Sequence, residues 1–559
     1  MEIRSGAAAG PPPQQPGVPA QPGYGYPQTA PGYGFPQQPA PGYGYPQQPG
    51  VPPQAPAWGP PAPSPYTAQP GTVPMQQAAP APGGGNAKRN QLMIIGAAVV
   101  AIAVIVAGGF WLTADDSGGN GGGTTANGPT GGGDKPAGAG GSEKVPGNIK
   151  SKTLVNVPQP QVNDVTNVSG SWITDSVYAK SDVGKIVGYS LTDGAKKWEI
   201  PLTGEVCAAT HHISDNKSAI LFEEAMPSEQ NKYPACNQVG VIDLAAGKLL
   251  WSGGAQSVTS GDKKVPFKEV TLSGQTVAAG GLQGGAAWNL ADGKNLWSPR
   301  SDAEKCYDAG YGGGEALAVI RKCGDYGQRY IQAQVLDPTT GAPKFSYKMS
   351  VGIEYASIIS TKPLVIGADV GDTAKNASSL SDLFVIDDAG QLKSKISLSS
   401  GNYDPDCGAT DVERCSSIVV GNGKVYLPSI EHQGSSASGR TNELLSFDLN
   451  TGKQTTDRAD AGERYTMFPL RMDGSNIIAY KRPPYDKGGQ VVSIDGATMK
   501  ETVLMENPAD KDIRRAESGF SPEYSEYRYH NGRLFFSEKL ISKSSSGDPK
   551  YLFVSFAAN

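Results

Sequence analysis

Val241–Trp251 reads VIDLAAGKLLW. A short apolar run meets Asp243, a polar turn closes on Gly247, and a second run ends on Trp251. An Asx side chain at the start of a turn accepts bonds from the turn's own backbone, and glycine supplies the positive φ that ends it. The stretch therefore predicts a β-hairpin. It recurs as Val187–Trp198 (VGYSLTDGAKKW), Ala287–Trp297 (AWNLADGKNLW), Val335–Phe345 (VLDPTTGAPKF), Val385–Lys393 (VIDDAGQLK), Ser446–Lys453 (SFDLNTGK) and Ser493–Lys500 (SIDGATMK). The last has Met499 where the turn glycine would stand.

The turn-start residues are Ser190, Asp243, Asn289, Asp337, Asp387, Asp448 and Asp495, spaced by 53, 46, 48, 50, 61 and 47. Such a period fits a four-stranded propeller blade. Four residues after Gly194, Gly247, Gly293 and Gly341 stand Trp198, Trp251, Trp297 and Phe345, large rings able to pack between neighbouring sheets. Two further strand-like runs precede each hairpin, as in CSSIVVGNGKVYLPSI (Cys415–Ile430), split by the Asn422-Gly423 turn.

An eighth run, Tyr551–Phe556 (YLFVSF), ends the chain without an outgoing strand, while Lys152–Val157 (KTLVNV) precedes the first hairpin without a partner. Pairing the two closes a ring of eight blades and removes its open edges. The expected fold is all-β, an eight-bladed propeller over 148–559, with a seven-bladed ring and a frayed end as the alternative.

These Asp-x-x-x-Gly-Lys-x-x-Trp hairpins resemble PQQ-like propeller repeats. Such repeats occur in quinoprotein alcohol dehydrogenases, in propeller lipoproteins of outer-membrane assembly and in outer sensor domains of some bacterial Ser/Thr kinases. The resemblance spans roughly 150–559 and implies a fold more than a function. A quinoprotein would grip its quinone with adjacent cysteines and calcium beside an Asp base, and no two cysteines here are adjacent. The expectation is therefore no cofactor and no catalysis, with a PQQ-dependent dehydrogenase as the alternative.

Ahead of the repeats the chain changes character. Residues 1–87 hold 24 of the 45 prolines, too little apolar material to fold. PGYGYPQ, PGYGFPQ and PGYGYPQ repeat at Pro22–Gln28, Pro31–Gln37 and Pro41–Gln47, offering tyrosines to a cytoplasmic partner. Leu92–Leu112 (LMIIGAAVVAIAVIVAGGFWL) is 21 uncharged residues, long enough to cross a hydrocarbon core of about 30 Å. Lys88 and Arg89 before it and Asp115 and Asp116 after it place the tail, 1–91, in the cytoplasm and the C-terminal part outside. Residues 113–147, glycine-rich, read as a flexible tether.

All six cysteines follow the apolar run, in keeping with an oxidising compartment. Because distant blades do not touch, near neighbours are expected to pair: Cys207–Cys236, Cys306–Cys323 and Cys407–Cys415. No metal site is expected. His211 and His212 point opposite ways if they lie in a strand, and like His432 and His530 they read as surface or loop residues. The acidic pairs Glu223-Glu224 and Asp387-Asp388 read as solvated charge. With a net charge of −5 and no basic block, nucleic acid is not an expected partner. The expected partner is an envelope protein or cell-wall ligand. It would be bound on a face of the ring, with the 61-residue spacing and its Gly434–Gly439 stretch as the favoured place.

Overall fold

The computed structural model describes residues 141–559, apart from 258–262, 301, 326, 372, 375–379, 400–401, 404, 409, 436–438 and 544–548. The proline-rich segment 1–91, the apolar run 92–112 and the glycine-rich stretch as far as 140 lie outside the described residues. Among the described residues no helix is long and apolar enough to cross a membrane.

Eight four-stranded antiparallel sheets follow one another. Blades 1 to 5 and 7 each use four consecutive strands, and blade 6 uses four with a small two-stranded hairpin between its second and third. Blade 2, for example, consists of Val206–Ala209, Lys217–Glu223, Cys236–Asp243 and Lys248–Gly253. Blade 8 takes Ser525–His530, Arg533–Glu538 and Tyr551–Ala557 from the end of the chain and Lys152–Pro158 from before blade 1. The register pairs Lys152 with Ala557, Thr153 with Phe556 and Val157 with Phe553, so the ring closes as the unpaired sequences predict. A bulge falls between Thr153 and Asn156. There the buried Ser555 hydroxyl donates to the Val155 carbonyl at 2.7 Å and accepts the Val155 N–H at 3.1 Å, satisfying what the bulge frees.

The core is not central. Eight apolar clusters lie between successive blades, one for each neighbouring pair, including blade 8 against blade 1. Middle strands are therefore covered on both faces, which is why Ala219–Phe222 and Ile477–Tyr480 are apolar runs rather than alternating ones.

The repeated hairpin explains both its polar and its aromatic positions. Asp243 accepts from the N–H groups of Ala245 and Ala246 at 2.9 and 2.8 Å, and Asp337, Asp448 and Asp495 repeat the pattern. Gly247 has φ 64°, and Met499 takes φ 56° in its place in blade 7. Blade 5 shortens the turn by one residue, and Gly390 bonds back to Asp387. The rings reach forward to the following blade. A Cβ on Gly247 would lie 2.2 Å from Trp198, one on Gly293 2.7 Å from Trp251, and one on Gly341 3.0 Å from Trp297. Each glycine thus serves its own turn and the preceding blade's ring.

Antiparallel blades give the ring two distinct ends. Turns joining first to second and third to fourth strands fall at one end, here the turn end. Second-to-third loops and connections to the next blade fall at the other, the loop end. Residues 141–147 pack at the turn end. Ser142 Oγ donates to Asp473 Oδ1 at 2.6 Å, and Glu143 takes Arg471 at 2.5 Å and the Asn531 N–H at 2.9 Å. Residues 141–147 thus pack on the propeller, although composition assigns them to the tether.

Glu143 Oε1 also lies 3.4 Å from His530 Nδ1, while His530 Nε2 meets Asp175 Oδ1 at 2.8 Å. Burial favours the neutral ring, but Glu143 and Asp175 outweigh it and hold the His530 pKa above the usual imidazole value. Stability from a raised pKa is fully present below the unfolded value of about 6.5 and is lost as pH rises through the folded value. The Tm of the native chain is therefore expected to fall between pH 5.5 and pH 8.5 by more than that of a His530→Gln variant. Equal falls in the two proteins would remove His530 from this account.

Candidate functional site

The first strands of seven blades, with Gly313 and Glu315 just after the first strand of blade 4, line a central channel of about 640 Å³. The connection from blade 5 to blade 6, residues 398–418, enters it from the loop end. Its tip is the stretch closed by Cys407–Cys415. The other bridges are Cys207–Cys236 and Cys306–Cys323, within blades 2 and 4. None joins adjacent cysteines.

The first strand of blade 3, Glu269–Ser273, measures how deep the loop goes. Lys268, just before it, pairs with Asp411 at 2.9 Å. Glu269 accepts the N–H groups of Val412 and Glu413 at 2.7 and 3.0 Å. Thr271 donates to Glu413 Oε2 at 2.5 Å. At about 3.3 Å per strand residue, the loop and its glutamate descend roughly 10 Å along the wall. The opposite contacts come from blade 4, where the Gly313 N–H donates to Glu413 Oε1 at 2.7 Å, and blade 5, where the Ile358 N–H donates to the Val412 carbonyl at 2.7 Å.

Gly310 makes room for this loop, and Gly313 for the close approach of blade 3. A Cβ on Gly310 would lie 2.5 Å from Val412, and one on Gly313 2.4 Å from Thr271 Oγ1.

His211 and His212 meet the loop from the turn end. They follow the first strand of blade 2, Val206–Ala209, in an irregular segment rather than a strand, so they do not point opposite ways. Their rings stand 4.0 Å apart at 39°. His212 is buried and bonds Glu413 Oε1 through Nε2 at 2.8 Å, while His211 opens into the channel. Local bonds fix the segment: Trp172 Nε1 donates to the Thr210 carbonyl at 2.8 Å, and Ser218 Oγ to the His212 carbonyl at 2.9 Å. Both are loop residues as expected, although His212 is buried; His530, read in the same way, lies instead at the end of the strand Ser525–His530 and is buried.

The electrostatics separate the groups. Burial disfavours charge on Glu413, yet His212, His211 and Thr271 outweigh it and hold the carboxyl well below the usual range. Enclosure within the channel walls and the neighbouring His212 push His211 well below the usual imidazole range, although its ring meets the channel's water. Burial pushes Glu269 up to about 7. On the far wall, Lys180 pairs with Glu526 at 3.3 Å.

Two sets of donor atoms lie close enough to share an ion, Cys207/Glu223/Cys236 and His211/His212/Glu413. The first is spent, because its sulfurs are bonded to each other. The second has all three donor atoms within 4.8 Å of one another. His432 and His530 stand apart from it, paired with Glu443 and with Glu143 and Asp175. Asp387 is held by its turn, accepting from Ala389 and Gln391.

A quinone does not fit these residues. All six cysteines are tied in non-adjacent pairs, and the disulfide-closed loop occupies the channel between blades 2, 3, 4 and 5.

No protein-family model and no curated protein matches this chain. Solved structures similar to it include BamB from Moraxella catarrhalis, with 12% identity and a TM-score of 0.35 over 73% of this chain and 99% of that one. Quinohemoprotein alcohol dehydrogenase ADHIIG from Pseudomonas putida HK5 shows 11% identity and a TM-score of 0.38 over 74% and 80%. The Neurospora crassa Pan2 WD40 domain shows 9% and 0.36 over 74% and 97%. These likenesses carry no argument about activity or partners.

Proposed function

We propose that this chain holds its propeller outside the cytoplasmic membrane on one span, Leu92–Leu112. The propeller acts there as a non-catalytic binding module that docks an envelope protein on its loop end. One observation carries the reading. Large apolar side chains that face solvent gather at that end: Met226, Tyr233, Leu282, Tyr355, Tyr485 and Tyr524 all lie in second-to-third loops or blade connections. At the turn end the tether packs and Val145 is exposed.

Exposed aromatic and large aliphatic side chains are what the core of a protein interface is built from, and a monomer does not gain by showing them to water. A second projection shares the end. His432–Gln433 pairs with Arg440–Thr441 to raise a small hairpin from blade 6, carrying the Gly434–Gly439 stretch, of which 436–438 lie outside the described residues.

The test uses the full chain in its own membranes. Protease added to intact cells is expected to degrade the part after Leu112 and spare the part before Leu92. In cross-linked membranes, replacing Tyr233, Leu282 and Tyr485 together by Ser is expected to reduce partner capture at least about tenfold with the Tm unchanged. Undiminished capture refutes the placement, protection of the C-terminal part refutes the topology, and PQQ-dependent alcohol oxidation refutes the non-catalytic reading.

A further inference from the structure

We propose that His211, His212 and Glu413 form a binding site for a divalent transition-metal ion of the zinc class, which clamps the disulfide-closed loop to blade 2 across the channel. The inference goes beyond the docking function and does not depend on it.

Geometry comes first. The three donor atoms lie within 4.8 Å of one another. An ion with bonds of about 2.0–2.2 Å spaces its ligands by roughly 3.4 Å, so closing the set needs side-chain shifts of about an ångström and no backbone rearrangement. The 2.8 Å bond between His212 Nε2 and Glu413 Oε1 already holds two of them, and an ion would replace the proton there. His211 is open to the channel and supplies the third donor.

Chemistry selects the ion. Two imidazoles and one carboxylate suit zinc, cobalt or iron, whereas calcium and magnesium take oxygen ligands. Three protein ligands leave at least one position, and it faces the channel of about 640 Å³.

The surroundings are those of a built site. Glu413 Oε2 is oriented by Thr271 Oγ1 at 2.5 Å, and the Gly313 N–H fixes Oε1 at 2.7 Å. The backbone behind the carboxylate is gripped by Glu269, and the loop is closed by Cys407–Cys415. The segment carrying the histidines is pinned by Trp172 and Ser218. Outer partners of this kind hold ligands in place and tune affinity. The His212–Glu413 bond joins the loop to this segment of blade 2, and an ion would tie His211 to it as well.

The experiment takes the untagged full chain in detergent, stripped with chelator, and titrates Zn²⁺, Co²⁺ and Ca²⁺ separately. Expected are one Zn²⁺ or Co²⁺ per chain by calorimetry, visible Co²⁺ absorption of a four- or five-coordinate ion, a saturable rise in Tm, and no such response to Ca²⁺. His211→Gln keeps the His212–Glu413 bond and the fold, and is expected to weaken binding at least about tenfold. Glu413→Gln, which retains a carbonyl acceptor, is expected to do the same. His432→Gln, remote from the site, is expected to bind as the native chain does. Absence of saturable Zn²⁺ and Co²⁺ binding overturns the proposal, and so does binding that His211→Gln and Glu413→Gln leave unchanged. Neither result alters partner capture at the loop end, so this proposal and the docking reading fail separately.

Discussion

Deleting residues 148–158 from the full chain is expected to lower the Tm of the propeller by at least about 5 °C and to make it aggregate on heating. Lys152–Pro158 is the fourth strand of blade 8 and closes the ring by backbone hydrogen bonds to Tyr551–Ala557, beside the much shorter pairing of Thr166–Asn167 with Leu540–Ile541. Its loss bares the outer edge of Tyr551–Ala557, a row of unpaired backbone groups on an apolar strand, which is a template for pairing with another chain. It also removes Leu154, Val155 and Val157 from the cluster between blades 8 and 1. At roughly 1–2 kcal/mol for each partly buried side chain, that loss alone is several kcal/mol. Differential scanning calorimetry with light scattering reads both effects. An unchanged melt would falsify closure by this strand.

Gly247→Ala is expected to cost about 3 kcal/mol, against about 1 kcal/mol for Gly274→Ala, by urea unfolding followed through tryptophan fluorescence. Both glycines have positive φ, 64° and 55°, so both substitutions carry backbone strain. Only Gly247 has a neighbour in the way: its Cβ would lie 2.2 Å from Trp198 Cγ, whereas nothing lies within 4 Å of a Cβ on Gly274. Trp198 belongs to blade 1 and Gly247 to blade 2, so the added methyl pushes the ring out of the seam between blades. Similar costs at the two positions would mean that strain alone matters and that the ring is not packed as described.

The hairpin Asp243–Trp251 shows how much was legible. The turn-start Asx, the glycine and the ring are local features, and seven copies at blade spacing determine strand order and, with the two unpaired end strands, the ring of eight. The cysteine pairs followed from the same locality, since each lies within one blade or one loop. What the repeats did not show was that each turn glycine also makes room for the previous blade's ring, because that contact joins residues about a repeat apart.

The channel lay beyond such reading. His212 and Glu413 are 201 residues apart and belong to blade 2 and the blade 5–6 connection, and no periodicity relates them. A signal existed in Gly310, whose missing side chain leaves room for Val412, and in Gly313, whose N–H reaches Glu413, but only the folded ring shows what fills the space. The clustering of exposed Tyr233, Leu282, Tyr355 and Tyr485 at one end is of the same kind, since they are scattered singly along the chain. By itself, then, the sequence determined what each segment does with its nearest neighbours: strands, turns, blades and their number. The tertiary structure decided which residues from opposite sides of a closed ring meet at its axis and which share an end. Closure converts distance along the chain into proximity across the channel, and that conversion depends on the whole ring rather than on any one repeat.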